Sequence, residues 1–174
     1  MDTVTLDMSI NVVDQHDNPI GVVARRDVFN LAVNFRVVHV LVFNSRGELL
    51  LQQLASVRER NLMHWGSSVA GYVFASENYF HAAARRVQQE LGIQGCELRE
   101  VGKTKMKDDG CLKFITVFST VLNGPFNFDQ SIIGDVRFES VDKIREQMST
   151  GEIAFTPTFR HVLRFYDQQN RTTQ

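Results

Sequence analysis

Apolar and polar positions alternate with a period of two in several short runs, switch once to helical spacing, and then return to strand-like runs before two late helical stretches. Residues 9–14 (SINVVD) and 20–25 (IGVVAR) flank His16-Asp17-Asn18-Pro19, a set of turn-forming types, and predict a hairpin. Residues 36–44 (RVVHVLVFN) and 47–54 (GELLLQQL) bracket the turn Asn44-Ser45-Arg46-Gly47 and predict a second one. Residues 67–73 (SSVAGYV) are small and β-prone. From Glu77 the period changes: Phe80, Ala84, Val87 and Leu91 fall on one helical stripe, and Gly92 stands where a helix ends. Residues 95–106 and 111–122, split by Lys107-Asp108-Asp109-Gly110, predict a third hairpin. Residues 136–148 read as a strand running into a short helix capped by Ser140, and Thr156-Pro157 opens a last helix with an N-cap followed by proline. The tail 167–174 (DQQNRTTQ) is expected to fray. These elements describe an α/β layered domain: a mixed sheet, one internal helix, two late helices and a hairpin in front.

Composition narrows the function classes. A chain of 174 residues with 43% apolar and 22% charged residues fits one globular domain. Its net charge of -1 gives no global attraction to a nucleic-acid polymer or an anionic membrane. No apolar run approaches the roughly 20 residues of a membrane helix, and the acidic, polar N-terminus is unlike a signal peptide, so a cytoplasmic protein is expected. Cys96 and Cys111 lack metal-knuckle spacing and read as reduced thiols.

The stretch 71–93, GYVFASENYFHAAARRVQQELGI, resembles the Nudix box, G-x5-E-x7-R-E-U-x-E-E-x-G-U with U aliphatic; Gly71, Glu77, Arg85, Val87, Glu90, Gly92 and Ile93 stand in register. Around it, DNPIGVVARRDV, VVHVLVFNSRGELLLQQ and HWGSSVAGYV resemble segments of a Nudix subgroup related in fold to isopentenyl-diphosphate isomerase. The resemblance implies the Nudix fold: α/β, a mixed β-sheet sandwiched between helices (α/β/α), with an N-terminal hairpin extension over residues 1–35, a core over 36–170 and a frayed tail at 171–174. It also implies a pyrophosphohydrolase that uses Mg²⁺ or Mn²⁺ to cleave a diphosphate linked to another moiety, a small phosphorylated substrate. Isomerase chemistry is disfavoured, because that enzyme's pattern carries a cysteine before the box and residues 61–70 contain none.

The departures from the pattern fall on one face. Positions 86, 89 and 90 are neighbours at helical spacing, and the three glutamates of the family are here Arg86, Gln89 and Glu90. Glu90 is the expected metal ligand, helped by a backbone carbonyl near Ala70, while Gln89 offers a neutral oxygen. Arg86 stays protonated, and at an effective dielectric near 20 a unit charge about 5 Å from a divalent ion is disfavoured on the order of several kcal/mol. The same guanidinium suits a phosphate directly. Two functions therefore compete: a weak metal-dependent hydrolase, and an inactive Nudix-fold module that binds a phosphorylated ligand or a protein.

Other positions carry paired readings. Glu77 is either an outer metal-site residue or an acid in the first turn of a helix; Arg85 is an organiser that pairs with a box carboxylate; Gly71 permits a close approach. Asp108, Asp109, Asp129 and Asp135 could restore a carboxylate, against turn chemistry for the first two. Arg58 and Arg60 could hold phosphate, against a solvated loop. Trp65 reads as a packing anchor, His39 and His161 as partly buried, His64 and His81 as bystanders. The hairpin edge would also allow a homodimer.

Overall fold

The computed structural model describes residues 7–55, 63–128 and 130–172; Arg58, Arg60 and Asp129 lie outside them. A central strand, β3 (Phe35–Phe43), runs parallel to β8 (Cys111–Val121) along its whole length and antiparallel to β6 (Val69–Tyr72) over its middle residues, Val37 to Val40. At its far end β3 meets β4 (Leu49–Leu54), which also pairs β5 (Trp65–Gly66) and β9 (Ile133–Glu139). The edge strand β7 (Arg99–Asp108) pairs β8 through the predicted third hairpin.

Alternation along β3 builds both faces of the sheet. Phe35, Val37 and Leu41 enter a core shared with Phe159, Val162 and Leu163 of the last helix, whereas Val38, Val40 and Val42 meet Ala82, Ala83, Val87 and Leu91 of the internal helix. A mixed sheet between helices results, as the resemblance implies.

The internal helix, α1 (Tyr79–Leu91), is capped by the Asn78 side chain accepting from the His81 amide and ends on Gly92 at φ 71°. Glu77 therefore precedes the cap and is not in the first turn. The predicted stripe is also displaced: Phe80 is 49% exposed and Ala84 is exposed, while Ala82, Ala83 and Glu90 are buried. Small residues at 82 and 83 let the helix backbone sit close to the sheet, and the helix is rolled so that Glu90 points inward.

The other two helices follow their caps. In α2 (Val141–Thr150) Ser140 accepts from Lys143, and in α3 (Pro157–Thr172) the Thr156 hydroxyl accepts from the Phe159 amide at 3.2 Å. Helix α3 continues to Thr172, through most of the stretch expected to fray. Tyr166 stacks on Phe43 with centroids 5.4 Å apart, and Arg145 of α2 grips Asp167 at 2.6 Å, tying those turns to the body.

The predicted N-terminal hairpin, β1 (Ser9–Val13) with β2 (Pro19–Ala24), is welded to the domain. Ile10 and Val28 are fully buried in the core, and the Ala75 amide donates to the Ser9 carbonyl at 2.8 Å. At its turn, Asp17 adopts φ 69° and inserts a carboxylate between Arg36 (2.6 Å), Lys103 (2.5 Å) and the Tyr79 hydroxyl (3.0 and 3.1 Å). Burial pushes the Asp17 carboxyl up, yet Lys103, Arg36 and Tyr79 outweigh it and hold it below the usual carboxylate range.

Candidate functional site

Strand β6 and helix α1 meet along a row of arginine contacts. Arg85 Nε and Nη2 donate to Glu77 at 2.5 and 2.9 Å, Nη2 also donates to the Tyr72 carbonyl at 2.9 Å, and the guanidinium lies 4.0 Å from the centroid of the Phe74 ring. Glu77 in turn accepts from the Phe74 amide at 3.1 Å. This carboxylate and arginine thus clamp the loop between β6 and α1.

One turn along, Arg86 Nε donates to the Ala70 carbonyl at 3.1 Å, Nη1 donates to Gln89 Oε1 at 3.1 Å, and Nη2 is ion-paired with Glu90 Oε1. The other Glu90 oxygen accepts from Gln52 Nε2 at 2.9 Å, and the residue is 4% exposed. Positions 86, 89 and 90 do share a face, with Ala70 beside them. What occupies the space between them is a guanidinium.

The close approach at Gly71 has the same origin. A Cβ there would lie 2.6 Å from Arg86 Cδ and 2.9 Å from Cγ, so only glycine lets the arginine stem cross the strand to reach Ala70 and Glu90.

The arrangement does not fit a divalent ion as it stands. Such an ion needs several free oxygens, and here both Glu90 oxygens and the Ala70 carbonyl already accept from Arg86 and Gln52. Among the described residues no group of three His, Cys, Asp or Glu side chains converges.

These residues border a cleft of about 610 Å³ between β6, the start of α3 and the β7–β8 turn. Among the described residues its lining carries six cations, Arg25, Arg26, Arg85, Arg86, Lys107 and Lys113, against the carboxylates of Asp108 and Asp109. Asp108 pairs with the buried Lys113 at 2.7 Å, and Asp109 holds a turn at φ 48°, so both combine turn chemistry with a place at the cleft. Asp135 lies on β9 and caps the Val136 amide at 2.8 Å; it is not among the cleft residues.

Deeper in the cleft, His39 Nδ1 and Ser67 Oγ are 2.8 Å apart. Burial, with Lys113 and His161 adding positive charge nearby, holds the His39 pKa at about 3, so the ring is neutral. His161 bonds Thr104 at 2.9 Å, and Trp65 is buried beneath the Arg137 guanidinium, a packing anchor as read. His81 is exposed on α1.

Gln52, Lys113 and the Arg25–Phe29 turn did not emerge from the sequence. Gln52 carried a signal: it is a polar residue at an inward position of the apolar strand LLLQQL, the usual mark of a buried hydrogen-bond partner. Among the described residues, no helix is long and apolar enough to cross a membrane.

A family profile described as "NUDIX domain" matches residues 33–159. An uncharacterized Nudix hydrolase of Pseudomonas aeruginosa is 31% identical over 157 residues, 88% of this chain and 90% of that protein. An isopentenyl-diphosphate Delta-isomerase of Photorhabdus laumondii is 25% identical over 165 residues, 91% of this chain and 92% of that one. Among solved structures, one from Deinococcus radiodurans superposes with a TM-score of 0.80 at 19% identity, covering 90% of this chain and 97% of that chain.

Proposed function

We propose that this chain, which belongs to the Nudix family, binds a small phosphorylated ligand through fixed cations and does not hydrolyse it by the family's divalent-metal route. The observation that carries this reading is the Arg86 guanidinium on the Ala70 carbonyl and Glu90. A permanent cation there supplies the positive charge that the family draws from Mg²⁺ or Mn²⁺. It cannot polarise a water for attack, because guanidinium is neither a Lewis acid nor a base near neutral pH.

Glu77 and Glu90 hold Arg85 and Arg86 from behind. The arginines are thereby pre-organised at the cleft wall, and little side-chain entropy is lost when a phosphate accepts from them. Lys107 and Lys113 add cations across the cleft. The cytoplasmic placement expected from the sequence belongs to the same reading.

The competing reading, a metal-dependent hydrolase, is favoured by family membership and by Asp108 and Asp109 in the cleft lining. Calorimetry with inorganic pyrophosphate in EDTA separates the two. Saturable binding that weakens in Arg86→Gln is expected. Release of phosphate or monophosphate from a panel of nucleoside-diphosphate compounds that requires Mg²⁺ and collapses in Glu90→Gln would establish the hydrolase instead.

A further inference from the structure

The cleft is not built from the matched NUDIX domain alone. Residues 33–159 match the family, yet Arg25, Arg26 and Phe29, from the segment before them, line the same cleft as Arg85 and Arg86. This segment is held firmly: Arg25 donates its amide to the Met8 carbonyl at 3.0 Å, Val28 is fully buried, and Phe29 sets its edge on Phe35 with centroids 5.7 Å apart. Phe35 stacks on Tyr72 at 5.3 Å, and the Arg25 guanidinium lies 4.5 Å from the centroid of the Tyr72 ring. Arg26 is ion-paired with Asp7, but both side chains are more than half exposed, and a pair so solvated is readily exchanged for a ligand anion.

Along β6 the cations therefore follow one another: Arg86 at the Ala70 carbonyl, Arg85 at the Tyr72 carbonyl, Arg25 at the Tyr72 ring. Ala70 and Tyr72 are two residues apart, roughly 7 Å along a strand. We propose that Arg25 is a specificity-determining residue that recognises an anionic group of the ligand beyond the one nearest Arg86, so that the cleft selects ligands whose anionic groups extend along β6. The proposal rests on the phosphate-binding reading of the cleft. The role falls to an arginine because its planar guanidinium can keep the Tyr72 ring on one face while its edge donates to an oxyanion.

Linear polyphosphates test this without knowledge of the natural ligand. Calorimetry in EDTA is run with inorganic pyrophosphate and with tripolyphosphate on the full chain, on Arg25→Gln and Arg25→Lys, and on Arg46→Gln, which removes the same charge from an arginine outside the cleft lining. Thermal melts accompany each variant. The wild type is expected to bind tripolyphosphate about tenfold more tightly than pyrophosphate, the worth of one charge-assisted hydrogen bond. That ratio falls toward one in Arg25→Gln, is partly kept in Arg25→Lys and is unchanged in Arg46→Gln. A wild type with no preference, or a preference that survives in Arg25→Gln, overturns the role of Arg25 while leaving pyrophosphate binding at Arg86 intact. If the wild type binds neither anion, the phosphate-binding reading itself fails and this proposal with it.

Discussion

Charge removal at the Arg86–Glu90 pair should cost far more than removal of the pair as a whole. Glu90 is 4% exposed and accepts from Arg86 and Gln52, so Glu90→Gln removes the carboxylate charge that faces the Arg86 guanidinium, which is poorly solvated at 17% side-chain exposure. Breaking a buried pair from one side costs about 3–5 kcal/mol; with Arg86 partly open to the cleft the low end applies, about 3 kcal/mol. Arg86→Met keeps the stem that crosses Gly71 but strands the Glu90 carboxylate, at a similar cost. The double variant Arg86→Met with Glu90→Gln leaves no unpaired charge and should fall within about 1 kcal/mol of wild type, a coupling of several kcal/mol. Urea unfolding reads this directly: at a slope near 2 kcal/mol per molar, each single variant should lower the midpoint by about 1.5 M and the double by less than about 0.5 M. Additive losses, or a Glu90→Gln loss below about 1 kcal/mol, would refute the view that this pair is a buried internal substitute for an ion.

Other consequences follow from the same geometry. Gly71→Ala should lose about 1–3 kcal/mol through the clash with the Arg86 stem, and should lose almost nothing in an Arg86→Ala background; equal losses in both would place the strain elsewhere. Asp17 is held below its ordinary pKa of 3.8, so its stabilising effect is full above that value and fades as pH falls through the lower folded value. The stability gap between wild type and Asp17→Asn should therefore be constant from neutral pH down to about 4 and close below it in pH-dependent urea melts; a gap that persists in acid counts against the ion-pair account. His39, at a pKa of about 3 against 6.5 when unfolded, leaves the unfolded chain binding the extra proton between those values, so stability is lost as pH is lowered through that window. His39→Gln should flatten the slope by up to about 1.4 kcal/mol per pH unit, and the His39 ring signals in NMR should not move between pH 8 and 5.

Local chemistry made much of the fold legible. The turns at Asn44–Gly47 and Lys107–Gly110, the Ser140 and Thr156 caps and the Gly92 stop all act within a few residues, and each is where its residue types require. The shared face of Arg86, Gln89 and Glu90 follows from helical periodicity alone. What the sequence did not disclose depends on packing between distant segments. The roll of α1 that exposes Phe80 and buries Glu90 is set by Ala82 and Ala83 against β3, and the Asp17 clamp joins positions 62 and 86 residues apart. The Arg25–Phe29 turn reaches the cleft only because Ile10 and Val28 are drawn into the core. Glu90's own environment hinges on Gln52, 38 residues earlier, whose polarity within an apolar strand was the one visible hint.

The central claim is that a guanidinium stands where the family's ion would be held, and Mn²⁺ titration monitored by calorimetry tests it most directly. Wild type should show no saturable Mn²⁺ binding, whereas Arg86→Glu with Gln89→Glu, which places three carboxylates on the α1 face beside the Ala70 carbonyl, should bind Mn²⁺ with a measurable affinity. Tight Mn²⁺ binding by the wild type that is lost in Glu90→Gln would contradict the account, as would a double variant that gains no affinity.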